Sequence, residues 1–253
     1  MVDLGEVTVD QLTVGWTIAQ RRRGHRHSTD DLLTGWYAAE KMPCATRLLD
    51  LGAGIGSVGL LALWRAPAEA TLVSIEAQEI SFALLQRNIA DNQLGARVRV
   101  IHGDLRDVRI DDAQFDLVTG SPPYWDVSEG VVPADSQKAA ARFELRGTVA
   151  DYAKAARRSL AAEGRFVFCF PSVQRERAVA SCRDAQLVVE SERVVIPRQD
   201  APPLFTLFCA RRAEDGGETG QLEAPHVVRD GSGDPTAMHA AARATFGFTQ
   251  SRR

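Results

Sequence analysis

Residues 47–56 constrain the fold more than any other stretch. Leu48-Leu49-Asp50-Leu51 is a short apolar run that leads straight into Gly52-Ala53-Gly54-Ile55-Gly56, and an apolar helical stretch follows from Ser57 to about Arg65. A buried strand, a glycine turn and a helix in that order let the backbone approach a ligand closely, because no Cβ intervenes. In open α/β sheets this is the place where nucleotide-like ligands dock.

The same unit recurs down the chain. Thr71 to Glu76 reads as a second strand, Ile80 to Asn92 as an amphipathic helix, Arg97 to Ile101 as a third strand reaching Gly103-Asp104, and Phe115 to Thr119 as a fourth. A polar loop is expected over 126–137, then helical text through Leu160 and a fifth strand over Gly164–Phe170. A helix around 173–183 leads to strands at Leu187–Ile196 and Leu204–Ala210. Strands alternating with helices predict a doubly wound α/β sheet, mostly parallel and covered on both faces. The last two strands lack a long helix between them, so an antiparallel edge strand is expected. Residues 1–20 read as a lead-in with β-prone pieces. Ser28-Thr29-Asp30-Asp31 reads as a helix start whose Leu32, Leu33, Trp36 and Tyr37 share one face.

Composition excludes some classes. The 253 residues carry a net charge of −3, contain no apolar run long enough for a membrane span, and begin without a basic leader, so a cytoplasmic location is expected. The four cysteines form no CxxC pair, so neither zinc nor any other metal is expected. Against the acidic balance, Arg21-Arg22-Arg23-Gly24-His25-Arg26-His27 holds four arginines and two histidines. Such a run is either a solvated surface or a local phosphate-binding patch.

The chemistry is carried by two motifs. Gly54-Ile55-Gly56-Ser57-Val58-Gly59 also spells a dinucleotide fingerprint, and Glu76 at the end of the second strand can hold ribose hydroxyls for either kind of cofactor. Asp50 favours S-adenosylmethionine over a dinucleotide, because a carboxylate there suits a cationic amino-acid end and repels a pyrophosphate. Asp104, closing the third strand, is placed to accept a hydrogen bond from an adenine amino group. The second motif is Gly120-Ser121-Pro122-Pro123-Tyr124, a stiff exit from the fourth strand. Each proline fixes φ and removes an N–H, Ser121 offers a hydroxyl, and Tyr124 offers a flat ring. Together they can clamp a planar substrate that bears an amino group.

The whole order of Asp50-Leu51-Gly52-Ala53-Gly54-Ile55-Gly56, Glu76, Asp104 and Ser121-Pro122-Pro123-Tyr124 resembles class I S-adenosylmethionine-dependent amino-methyltransferases. Their fourth motif is Asn, Asp or Ser followed by Pro-Pro and an aromatic residue. Gln20, the basic run, Gly24, Arg26, Ser28, Asp30 and Leu32-Leu33 are similar to the lead-in of the bacterial tRNA1(Val) adenine-37 N6-methyltransferase group. Val227-Val228-Arg229-Asp230-Gly231 is similar to that group's end. The group normally carries Asn where this chain has Ser121, and its members tend to be more basic.

The resemblance implies a Rossmann-like methyltransferase sheet over residues 46–212, a basic lead-in and helix over 1–45, and an extension over 213–253 packed on the same domain. It implies Asp50, Gly52, Gly54, Gly56, Glu76, Asp104 and Leu105 around S-adenosylmethionine. It implies Ser121, Pro122, Pro123 and Tyr124 around an adenine N6 of RNA, with tRNA as the partner. Arg21, Arg22, Arg23, Arg26 and Asp30 would face that RNA. Asp30 keeps two readings, a helix-start acid or a ligand contact. Trp36 and Trp125 read as packing residues, His102 as a core histidine, and Asp151-Tyr152 as a helix start without a function. A glutamine-amide protein methyltransferase, a DNA amino-methyltransferase and an inactive RNA-binding scaffold of the same fold are the alternatives.

Overall fold

The computed structural model describes residues 2–111, 114–128 and 130–248; residue 129 of the expected polar loop and the tail residues 249–253 lie outside them. The elements are β1 (Val7–Thr13), β2 (Trp16–Arg21), α1 (Thr29–Lys41), β3 (Arg47–Leu51), α2 (Ser57–Arg65), β4 (Thr71–Glu76), α3 (Glu79–Asp91), β5 (Val98–His102) and β6 (Phe115–Gly120). They continue as α4 (Ser136–Arg142), α5 (Val149–Ser159), β7 (Leu160–Pro171), α6 (Arg175–Asp184), β8 (Leu187–Ile196), β9 (Phe205–Arg212), β10 (Gln221–Leu222), β11 (His226–Val227) and α7 (Ala237–Ala244).

Strands β7-β6-β3-β4-β5 lie side by side and parallel, and β9 runs antiparallel between β7 and β8. This is the doubly wound, mostly parallel sheet that the sequence predicts, with its antiparallel strand toward one edge. The tail adds β10 and β11, both parallel to β8, outside that edge. Period-two alternation sends each strand's side chains to two cores. Val167 and Cys169 of β7 join α1, α2 and α3 on one face, whereas Phe166, Phe168 and Phe170 join α5 and α6 on the other.

Strand order reverses between β3 and β6, so their C-terminal ends open a crevice at the switch point. Asp50 pairs with Thr119 and Leu51 with Gly120 across them, which sets the glycine turn beside the proline clamp.

The lead-in forms a hairpin of β1 and β2 that docks its free edge on α3 through side chains. Asn88 accepts from the Ala19 N–H at 2.6 Å and donates to the carbonyls of Ala19 (3.2 Å) and Ile55 (2.9 Å). Asn92, one turn on, makes the same pair of bonds to Thr17 at 2.8 Å each. Asn88 is fully buried and ties the hairpin to the glycine turn. Asn88→Ala is therefore expected to cost about 2–3 kcal/mol, because it leaves buried backbone groups unpaired. Urea unfolding measures this, and a loss below about 0.5 kcal/mol would mean apolar contacts alone hold the hairpin.

Three local expectations change. The helical text before Leu160 is two helices. Phe143 bridges to Trp125 instead, Gly147 takes φ +125°, and Thr148 with Asp151 caps α5 afresh. His102 is not a core histidine but an exposed one, stacked on Phe82 at 4.4 Å. Trp125 is 39% exposed rather than packed away.

Candidate active site

The crevice is a cavity of about 660 Å³ that brings together Asp50, Gly52 through Ile55 of the glycine turn, Glu76, and Ser121 through Tyr124, whereas Gly56 packs against Leu60 and Leu85 instead. Asp50, fully buried, accepts from the Gly59 N–H at 3.0 Å and from the Thr119 hydroxyl at 2.8 Å. Burial pushes its carboxyl up to about 6, against those two bonds. Glu76 accepts from the N–H groups of Gly54 (2.8 Å) and Gln78 (2.6 Å), and burial pushes it up to about 7. Gly54 has φ +58°, and a Cβ there would meet nothing within 4 Å, so its backbone is open to a ligand.

In both carboxylates desolvation outweighs the two hydrogen bonds that each accepts, so further donors or a cation from a ligand would favour their charge. An ammonium and a ribose diol supply such groups, so these residues fit S-adenosylmethionine. Gln78 adds a buried Nε2 with no partner among the described residues.

The structure does not bring Asp104 into that cavity. Arg106 takes both of its oxygens, at 2.9 and 2.6 Å, and holds the carboxyl below the usual range. Asp104 lies instead in an adjoining hollow with Gln78 and Arg146, while Gly103 and Leu105 line the main cavity.

In the basic run, most of the arginines meet carboxylates of this chain. Arg21 pairs with Asp135 (2.9 Å), Arg22 with Glu6 (2.6 Å) and Arg26 with Asp10 (2.8 Å), the first pair mostly covered and the other two at the surface. Arg23 alone of the four makes no ion pair among the described residues. Gly24 through Ser28 form one wall of the cavity.

At the clamp, Tyr124 stands edge-on to Phe170, with ring centroids 6.0 Å apart, and donates its hydroxyl to Asp30 at 3.1 Å. Asp30 is therefore a helix-start acid that also lines the site. The Tyr124 carbonyl is no less fixed, since the Gln174 amide donates to it at 2.8 Å.

Sequence reasoning missed four contributors. Tyr152 of α5 fills the floor under both strand ends; a Cβ on Gly52 would come within 1.9 Å of its hydroxyl, and one on Gly120 within 2.8 Å of its ring. Lys138, Arg142 and Arg146 line the cavity from α4 and the turn after it, without an ion pair among the described residues. The Gly120-Ser121 step hints at Tyr152, since a glycine ending a buried strand leaves room for a neighbour. Nothing local marks the three cations.

A parallel sheet with a glycine turn after its first strand, an acid ending the next, and a proline clamp at the switch point defines an S-adenosylmethionine-dependent methyltransferase. The profile of the methyltransferase small domain family matches residues 37–169, and the chain belongs to that family. It is similar to the tRNA1(Val) (adenine(37)-N6)-methyltransferase of Parabacteroides distasonis, at 29% identity over 69% of this chain and 72% of that one. The enzyme of the same name from Shewanella loihica is 27% identical over 81% of this chain and 85% of its own. Among solved structures, a predicted O-methyltransferase from Agrobacterium tumefaciens shares the fold, with TM-score 0.66 at 19% identity over 85% of this chain and 96% of that one. No helix among the described residues is long and apolar enough to cross a membrane, and no cluster there could hold a metal ion.

Proposed function

We propose that the protein methylates the exocyclic N6 of an adenine in tRNA. The observation that carries this reading is that Ser121-Pro122-Pro123-Tyr124 and the glycine turn line one cavity. The names of the relatives above support the choice of base and of RNA. S-adenosylmethionine supplies an electrophilic methyl group there.

The residues of this chain hold the nucleophile. An adenine amino nitrogen is a weak nucleophile because its lone pair is delocalised into the ring. Hydrogen bonds from its N–H groups to the Ser121 hydroxyl and the Pro122 carbonyl favour a more tetrahedral nitrogen whose lone pair points at the methyl. Alignment of this kind can lower the barrier by several kcal/mol, roughly 7–11 at best. Tyr124 offers its ring to a base extruded from a loop, and Trp125 stands exposed beside it.

Methyl transfer from labelled S-adenosylmethionine to tRNA lacking its own modifications, followed by nucleoside mass spectrometry, tests the reading. N6-methyladenosine is the expected product. Tyr124→Ala is expected to abolish its formation while S-adenosylhomocysteine binds within about threefold of the wild-type affinity. Incorporation into a glutamine peptide and not into tRNA would move the substrate to protein.

The cations at the mouth give a second expectation. Lys138→Ala with Arg142→Ala should weaken tRNA binding by a similar factor for every sequence. It should also reduce the slope of log affinity against log salt by about 2, one for each phosphate left without its cation. Filter binding across a salt series measures both, and an unchanged slope would remove these two residues from the interface.

A further inference from the structure

Asp30 stands in the cavity wall with Ser121, Pro122 and Tyr124. Its Oδ2 accepts the Tyr124 hydroxyl at 3.1 Å and its Oδ1 accepts the Ser28 hydroxyl. The Ser121 and Tyr124 hydroxyls each lie 3.4 Å from Sγ of Cys169. Burial pushes the Cys169 thiol up to about 11, so at neutral pH it is an S–H that can donate to either hydroxyl. The chain of hydrogen bonds at the clamp therefore ends on Asp30, which as a carboxylate only accepts.

The other acids of the cavity are engaged elsewhere. Asp50 holds Gly59 and Thr119, and Glu76 holds Gly54 and Gln78. Asp31 accepts from the Ser28 N–H at 3.0 Å and faces His27 Nδ1 at 3.6 Å. At the clamp end Asp30 is thus the one carboxylate among the described residues lining the cavity. Ser121 cannot take that part, because a hydroxyl is a neutral acceptor and a poor base.

We propose that Asp30 is the proton acceptor for the amino group held at Ser121–Tyr124, an assignment that rests on reading the site as an amino-methylating one. The amino nitrogen's lone pair forms the N–C bond to the methyl. The C–S bond breaks as it does so, and its electron pair stays on sulfur. The nitrogen is left positively charged and releases one N–H proton to an Asp30 oxygen. The carboxylic acid so formed returns the proton to water at the cavity mouth.

The groups around Asp30 suit this task. Asp31 lies beside it on α1, His25 faces it from the loop while His27 faces Asp31, and Tyr124 and Cys169 face it from the β6 exit and β7. Burial, and then the negative charge of Asp31, raise its carboxyl above the ordinary range. Asp30 is accordingly a stronger base than an exposed aspartate.

The test compares wild type, Asp30→Asn and Asp30→Glu at saturating S-adenosylmethionine, with tRNA and a glutamine peptide as acceptors. The expected result for Asp30→Asn is a kcat about 100-fold lower, the low end for a lost general base. S-adenosylhomocysteine should still bind it within about threefold by calorimetry. Wild-type kcat should fall on the acid side, at a pH above the ordinary aspartate range; Asp30→Asn should lack that acid limb, and Asp30→Glu should recover part of the rate and the limb. Asp30→Asn turning over within threefold of wild type, keeping the acid limb, or losing S-adenosylhomocysteine in parallel would overturn the proposal. Transfer by wild type to the peptide alone would overturn only the RNA reading, and the same comparison on the peptide then decides Asp30. No transfer to either acceptor overturns both.

Discussion

Glu76→Gln is expected to weaken S-adenosylhomocysteine binding about 100-fold and to leave the fold intact. Glu76 already accepts two backbone N–H groups, from Gly54 and Gln78, one on each oxygen. Each oxygen keeps a second lone pair, which its place at the end of β4 offers to a ribose diol. Glutamine preserves one acceptor and turns the other into an NH2 that would face an N–H donor. Hydrogen bonds to a charged group are worth roughly 1.5–3 kcal/mol each, so losing the charge under two of them gives about two orders of magnitude. Calorimetry measures it, and a loss below about fivefold would remove the diol from Glu76.

The same carboxylate sets a pH dependence whose sign follows from its shift. Burial pushes Glu76 from 4.5 up to about 7 in the free protein. Donors in the complex favour the carboxylate, so the pKa falls on binding and a proton competes with the ligand. Affinity should be constant above pH 7 and decline below it, by at most about tenfold per unit until Asp50 also takes up a proton. In Glu76→Gln the decline should begin lower, near the value of about 6 to which burial pushes Asp50. The free protein should show the opposite trend in stability. A carboxyl raised by folding stabilises fully below its unfolded value and loses that contribution as pH rises toward the folded one. Between pH 4.5 and 7, Glu76 therefore works against the free fold.

Much of this site can be read from sequence because parallel strands are buried on both faces. Leu48-Leu49-Asp50-Leu51 and Phe115-Asp116-Leu117-Val118 announce themselves as apolar runs, and the turns leaving them must lie at the same end of the sheet. The pairing of Leu51 with Gly120 then brings the glycine turn and the proline clamp together. The sequence hides the partners chosen in three dimensions. Glu6, Asp10 and Asp135 neutralise most of the basic run, and none is adjacent to the arginine it meets. Asp104 lies two residues past the end of β5, where the conformation of the next two residues lets Arg106 claim it. Asn88 and Asn92 look like ordinary polar positions on a helix until the hairpin's edge is laid against them. Backbone periodicity fixes which end of a strand a residue occupies; long side chains are free to choose among several neighbours there.

Gly59→Ala should destabilise the protein by forcing a methyl group against Asp50. Gly59 lies inside α2 with ordinary helical backbone, so alanine would normally favour the helix. Space forbids it: a Cβ there would sit 2.7 Å from Asp50 Oδ2 and 2.8 Å from Asp50 Cβ. The second of those atoms is anchored to β3 and cannot swing away, so strand and helix must part. Overpacking of this kind costs about 1–3 kcal/mol. Displacing the carboxylate also breaks its bonds to Gly59 N–H and the Thr119 hydroxyl, at about 1–3 kcal/mol for each buried group left unpaired. A loss of about 3–5 kcal/mol is expected in urea unfolding, with S-adenosylhomocysteine affinity reduced at least tenfold. Gly54→Ala, a few residues earlier, separates the two uses of glycine in one motif. A methyl group there meets open space, but φ is +58°, so the expected cost is only the strain of a left-handed alanine, about 1–2 kcal/mol. If both variants unfold at the same urea concentration, close packing of α2 on Asp50 is not what this motif's last glycine provides.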